Sequence, residues 1–107
     1  MSINEYIELV VQKLVDFYSP YQIYLFGSQA REDSNMDSDI DFFVIKESTE
    51  PRHKRALDFR RNLRGNNSYP IDILVYTPQE FYEERNIKGT IPYHIIKEGK
   101  LLYGPKN

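Results

Sequence analysis

Leu25-Phe26-Gly27-Ser28, then ten residues, then Asp39-Ile40-Asp41-Phe42-Phe43-Val44-Ile45 is the stretch whose reading decides the fold. Gly27-Ser28 closes the apolar run Ile23-Tyr24-Leu25-Phe26, and Asp39 and Asp41 open the next one. Both runs are rich in aromatic and β-branched residues, which suit strands. Further on, Asp72 opens a third run, Ile73-Leu74-Val75. Alternation along a strand puts Asp39 and Asp41 on one face, with Ile40, Phe42 and Val44 on the opposite, core-facing side. Asp72 likewise shares a face with Leu74 and Tyr76 and leaves Ile71, Ile73 and Val75 for the core.

Outward from these strands the helices follow. Ile3, Ile7, Val10, Val11, Leu14, Val15 and Tyr18 recur at three- and four-residue spacing, so residues 3–18 are predicted helical. Ser2 with Glu5 makes a capping-box start, and Ser19-Pro20 ends the helix. Residues 28–33 are expected to form a short helix or turn. A second long helix is predicted from Glu50-Pro51 to about Arg64, with Ala56, Phe59 and Leu63 as its apolar stripe, before the breaker cluster Gly65-Asn66-Asn67-Ser68. Thr77-Pro78-Gln79-Glu80 starts a third helix, to about Arg85, and Pro92 a short fourth, through Ile96. Leu101-Leu102-Tyr103 fits a last small strand. The order implies an α/β (α+β) domain, a small mixed and mostly antiparallel sheet packed on helices. Direct pairing of the first two strands is not settled by the pattern.

Bulk properties narrow the classes. At 107 residues, residues 1–107 read as one domain. Cysteine is absent, which excludes a disulfide framework and thiolate metal sites. No apolar run approaches a membrane span, and the start lacks a basic n-region and an apolar h-region, so the cytoplasm is the expected location. The net charge of −2 carries no global nucleic-acid signature. Arg52, Lys54, Arg55, Arg60, Arg61 and Arg64 against the lone acid Asp58 make residues 51–64 basic. Such a face reads first as solvated, with nucleic acid or an acidic partner as the alternative. His53 and His94 lack paired ligand spacing and read as surface or core residues. The apolar residues of 81–98 (Phe81, Tyr82, Ile87, Ile91, Tyr93, Ile95, Ile96) complete the core or form a patch for another protein.

The three aspartates carry the candidate chemistry. Two carboxylates about 4 Å apart repel by roughly 1 kcal/mol in water and about 4 at an effective dielectric near 20. An apolar strand keeps such a pair when a cation compensates, and Mg²⁺ suits, being held by one or two carboxylates plus substrate phosphates. Asp37 reads instead as a solvated cap. Gly27 permits close approach of backbone to a ligand, the N–H groups of its turn can bind phosphate, and Ser28 adds a hydroxyl donor. Arg31 sits one turn further on and can reach the same phosphates.

Gly27-Ser28-x10-Asp39-x-Asp41 resembles the signature of the DNA polymerase β-like nucleotidyltransferase superfamily. Leu25-Phe26-Gly27-Ser28-Gln29-Ala30-Arg31, with Ser38-Asp39-Ile40-Asp41 and Ile71-Asp72-Ile73-Leu74-Val75, is similar to its minimal nucleotidyltransferase (MNT) branch. The resemblance implies two Mg²⁺ ions on Asp39, Asp41 and Asp72, with Asp72 also activating an acceptor hydroxyl, and a triphosphate held at Gly27, Ser28 and Arg31. It implies transfer of AMP from ATP, with pyrophosphate released. The acceptor implied is a tyrosine of a HEPN-type toxin, with which the chain would assemble as the antitoxin. Two other readings compete: adenylylation of a small molecule of the aminoglycoside type, and a non-catalytic antitoxin acting by occlusion.

Overall fold

The computed structural model describes residues 1–27, 39–63 and 69–106. The predicted turn at 28–33, Ser28, Arg31 and Asp37, and the breaker cluster 65–68 with Arg64, lie outside the described residues. In chain order the elements are α1 (Ile3–Tyr18), β1 (Gln22–Phe26), β2 (Ile40–Ile45), a 3-10 turn (Arg52–Lys54), α2 (Leu57–Asn62), β3 (Ile71–Tyr76), α3 (Pro78–Glu84), α4 (Ile91–Glu98) and β4 (Lys100–Tyr103). Among the described residues no helix is long and apolar enough to cross a membrane.

Local chemistry sets the boundaries. Ser2 and Glu5 close the expected capping box on α1, and Thr77 and Glu80 close a second one on α3, where Pro78 takes the first helical position. At the other end of α1, Ser19 takes left-handed backbone (φ 47°) and donates its N–H to the Val15 carbonyl at 2.9 Å. Pro20 disfavours a right-handed helical conformation in the residue before it, so the chain leaves the helix here.

Among the described residues four strands form one sheet in the order β3-β2-β1-β4. β1 pairs antiparallel with both β2 and β4, so the first two strands are direct neighbours. β2 and β3 pair in parallel. A parallel pair needs a long crossover, and the segment carrying α2 supplies it. The sheet is therefore mixed and mostly antiparallel, as expected.

The expected second helix is broken. Instead of one helix from Glu50 to Arg64, a 3-10 turn precedes a short α2, while Ala56, Phe59 and Leu63 are all buried as its stripe required. The expectation of a single core-facing side also needs correction. Ile40, Phe42, Val44, Ile73 and Val75 do pack with α1 and α2, around Tyr6, Ile7, Val10, Leu14 and Phe59. Yet Phe43, Ile45 and Tyr76, on the aspartates' side of the strands, are equally buried in a second cluster with Phe81 of α3 and Ile95 of α4. Phe42-Phe43-Val44-Ile45 is a continuous apolar run because its strand is covered on both faces. The apolar residues of 81–98 divide: Phe81 and Ile95 complete the core, while Tyr82, Ile87 and Ile96 are exposed.

One buried ion pair ties the start of α2 to α3. The Arg55 side chain, 7% exposed, donates to both carboxylate oxygens of Glu80 at 2.6 and 3.1 Å, to the Val75 carbonyl at 3.1 Å and to the Glu50 carbonyl at 2.8 Å. Arg52 adds contacts to Glu80 (3.5 Å) and Glu84 (3.7 Å) and lies over the Tyr76 ring. The hydrogen bonds from Arg55 hold the Glu80 carboxyl at a pKa of about 2, with the Thr77 backbone N–H adding to the effect. A carboxylate depressed in this way stabilises the fold above its unfolded pKa, and that contribution disappears as the pH falls toward the folded value. Stability measured by urea denaturation is therefore expected to decline between about pH 4.5 and 2. Glu80→Gln should flatten that decline and cost about 3 kcal/mol at pH 7, the low end of the cost of stranding a buried charge. An unchanged acid profile in the variant would count against the pair.

Candidate functional site

Strand register builds the site. Phe26 on β1 lies opposite Asp41 on β2, and Asp41 lies beside Asp72 on β3. Residues opposite one another on neighbouring strands share a face, so Phe26, Asp41 and Asp72 form a row across three strands. The row runs on the side covered by α3 and α4, one step along from the buried Phe43 and partly buried Leu74. Asp39 is exposed and immediately precedes β2.

Asp41 is half-buried, and its carboxyl is raised above the ordinary aspartate range by burial first, then by the charges of Asp72 and Asp39. The three aspartates therefore interact electrostatically at Asp41. Gly27 presses against the same group. It has φ +75°, and a Cβ added there would overlap Asp41 Oδ2. Only glycine satisfies both conditions, since it tolerates that backbone and carries no side chain.

Asp72 has a cation partner that the sequence did not disclose. Arg60 Nη2 donates to Asp72 Oδ1 at 2.7 Å, and the same oxygen accepts the Ile73 N–H at 3.0 Å. The basic segment 51–64 is thus only partly a solvated face: Arg52, Arg55 and Arg60 are spent on Glu80, Glu84 and Asp72. The excess of arginines over the single acid Asp58 was the available signal that acids from elsewhere must face this segment.

The donor set fits a hard divalent cation, being carboxylate oxygen with a glycine cradle that brings backbone against Asp41. As they stand, no three acidic or imidazole groups among the described residues are close enough to enclose a metal ion. The bonds from Arg60 and Ile73 both fall on Asp72 Oδ1 and neither on Oδ2.

The profile of the family described as "Polymerase beta, Nucleotidyltransferase" matches residues 8–107. The chain belongs to the polymerase β nucleotidyltransferase family. No curated protein matches its sequence. Two solved structures resemble this nucleotidyltransferase in fold. One is a crystal structure of a toxin-antitoxin with AMP-PNP, 20% identical, with a TM-score of 0.65, covering 92% of this chain and 73% of the other. The second is a crystal structure of a mutant toxin-antitoxin MntA-HpeT, also 20% identical, with a TM-score of 0.66 and the same coverage.

The raised pKa of Asp41 has a measurable consequence for the nucleotidyltransferase. A carboxyl raised by folding stabilises the fold while protonated, and this is lost as the pH rises through its folded pKa. At pH 7 without added metal, Asp41→Asn should therefore melt a few degrees higher than the unaltered protein. The difference should vanish near pH 3. Added Mg²⁺ should stabilise the unaltered protein more than the variant. A lower melting temperature for Asp41→Asn at pH 7 would contradict the repulsion described here.

Proposed function

We propose that this chain transfers AMP from ATP to a hydroxyl, a tyrosine of a HEPN-type toxin partner, and so serves as the antitoxin of the pair in the cytoplasm. The observation that carries the reading is the row in which Asp41 stands beside Asp72 with Gly27 pressed against it. Membership of the nucleotidyltransferase family supports the reaction class. The likeness to two toxin-antitoxin structures supports the choice of partner, and the AMP-PNP in one of them supports an adenine nucleotide.

Asp39, Asp41 and Asp72 would hold two Mg²⁺ ions, which would offset the triphosphate charge and ease deprotonation of the acceptor. The turn at Gly27 and Ser28 would donate hydrogen bonds to the triphosphate, and Arg31 would add a guanidinium. Asp72 would accept the proton of the acceptor hydroxyl as its oxygen bonds to the α-phosphorus. The bond from that phosphorus to the pyrophosphate oxygen breaks, and pyrophosphate leaves. The exposed Tyr82, Ile87 and Ile96 on and between α3 and α4 favour a second reading, in which binding alone occludes the toxin.

Incubation with labelled ATP and Mg²⁺, with and without the protein encoded by the adjacent gene, separates these readings. Label on a tyrosine of that protein is the expected result. Asp41→Asn and Asp72→Asn should each lower transfer at least about a thousandfold while retaining the fold by circular dichroism. Tight complex formation without label, unchanged in Asp41→Asn, would replace catalysis with occlusion.

A further inference from the structure

Arg60 stands outside the carboxylate row, yet its guanidinium reaches one of the acids in it. Nη2 donates to Asp72 Oδ1 at 2.7 Å, and the Ile73 N–H donates to the same oxygen at 3.0 Å. The backbone of β3 explains the second bond. The Pro70 and Tyr76 carbonyls accept from Ile40 and Lys46 on the β2 side, whereas the Val75 carbonyl accepts from Arg55. Ile73 is two residues from Val75, so its N–H also turns to the margin away from β2. Asp72 Oδ1 is therefore held at that margin by two donors.

Stability is a poor account of the Arg60 contact. The two side chains are 45% and 48% exposed, and exposed ion pairs contribute little. The buried pair of Arg55 and Glu80 already ties this segment down. The Arg60 side chain otherwise borders a cavity of about 280 Å³ beside Tyr6, Tyr69 and Ile71, so it is not wedged into the core. What two donors on one oxygen do fix is direction. The terminal torsion of an aspartate is broad and roughly two-fold, and a charge-assisted bond together with a backbone N–H selects one setting of it.

We propose that Arg60 is a positioning residue for nucleotidyl transfer: by pinning Asp72 Oδ1 at the margin of β3, it leaves Oδ2 as the oxygen that takes the proton of the acceptor hydroxyl. The inference rests on the nucleotidyl-transfer reading above and adds a residue through which Asp72 is aimed. Arg60 touches neither nucleotide nor acceptor. Its effect belongs to the step at Asp72 and not to the binding of ATP, whose phosphates are assigned to Gly27 at the end of β1, two strands away.

Two measurements test it together: steady-state transfer from ATP with Mg²⁺ to the protein encoded by the adjacent gene, and amide hydrogen exchange followed by NMR without nucleotide or metal. Arg60→Met, which keeps the stem and removes the donors, should lower kcat by about tenfold to a hundredfold, with KM for ATP within about twofold. In the same variant the Ile73 amide should exchange at least about tenfold faster. Arg60→Lys, which keeps a charged donor without the planar fork, should restore part of both. Arg61→Met removes the neighbouring guanidinium, which is 72% exposed beside Asp58, and should change neither. Unchanged Ile73 exchange in Arg60→Met would overturn the pinning, and faster exchange with kcat intact would overturn its part in the reaction; nucleotidyl transfer would stand in both cases. A rise in KM for ATP that accounts for the whole loss, or an equal loss of kcat in Arg61→Met, would overturn the proposal as well, since the effect would then lie with ATP binding or with net charge. Failure of the unaltered protein to transfer would remove the nucleotidyl-transfer reading itself, and the role of Arg60 with it.

Discussion

Two like charges held side by side on parallel strands are the constraint around which this molecule is arranged. Asp41 and Asp72 occupy paired positions of β2 and β3, and Asp41 responds to both Asp72 and Asp39. The repulsion is accepted because the strand positions next to the aspartates on that face, Phe43 and Leu74, are apolar and packed. Phe43, Ile45 and Tyr76 are sealed under α3 and α4, and they fix the register that brings the carboxylates together. A slip of one residue would exchange the faces of the whole strand, exposing Phe43 and burying Asp41 among apolar groups. Burial of the aromatic row thus holds the acidic row in place.

Arg60 shows how the fold tolerates this charge. It approaches from α2, the layer on the far side of the sheet, and reaches Asp72 around the outer strand. One oxygen of Asp72 is committed to Arg60 and the Ile73 N–H. The arginine lowers the local charge without covering Asp41, which keeps the elevated pKa of a crowded acid.

Much of this was legible in the sequence because the signals were local. The capping boxes at Ser2 and Thr77, the break at Ser19-Pro20 and the strand runs at 22–26, 40–45 and 71–76 need only neighbouring residues to be read. The shared face of Asp72, Leu74 and Tyr76 follows from strand alternation alone. Three features were not legible. The second face of the sheet was missed because alternation was given more weight than the unbroken run Phe42-Phe43-Val44-Ile45, which signals a strand covered on both sides. The expected helix over 50–64 is interrupted at Ala56 (φ −102°, ψ 2°), directly after Arg55, whose side chain is held by Glu80, Val75 and Glu50, partners up to 25 residues away. Arg60 on Asp72 is likewise a pairing across 12 positions, made by the crossover of the parallel strands and by no periodicity.

The side-chain bonds to β3 have one more effect. Among the described residues β3 ends the sheet, and no strand lies along one margin of its backbone. Arg55 takes the Val75 carbonyl, and the Asp72 carboxylate takes the Ile73 N–H. A foreign strand seeking to extend the sheet there would have to displace a guanidinium anchored by Glu80 and an aspartate anchored by Arg60. These charged side chains therefore act as a guard against self-association, blunting a border that would otherwise invite amyloid-like stacking.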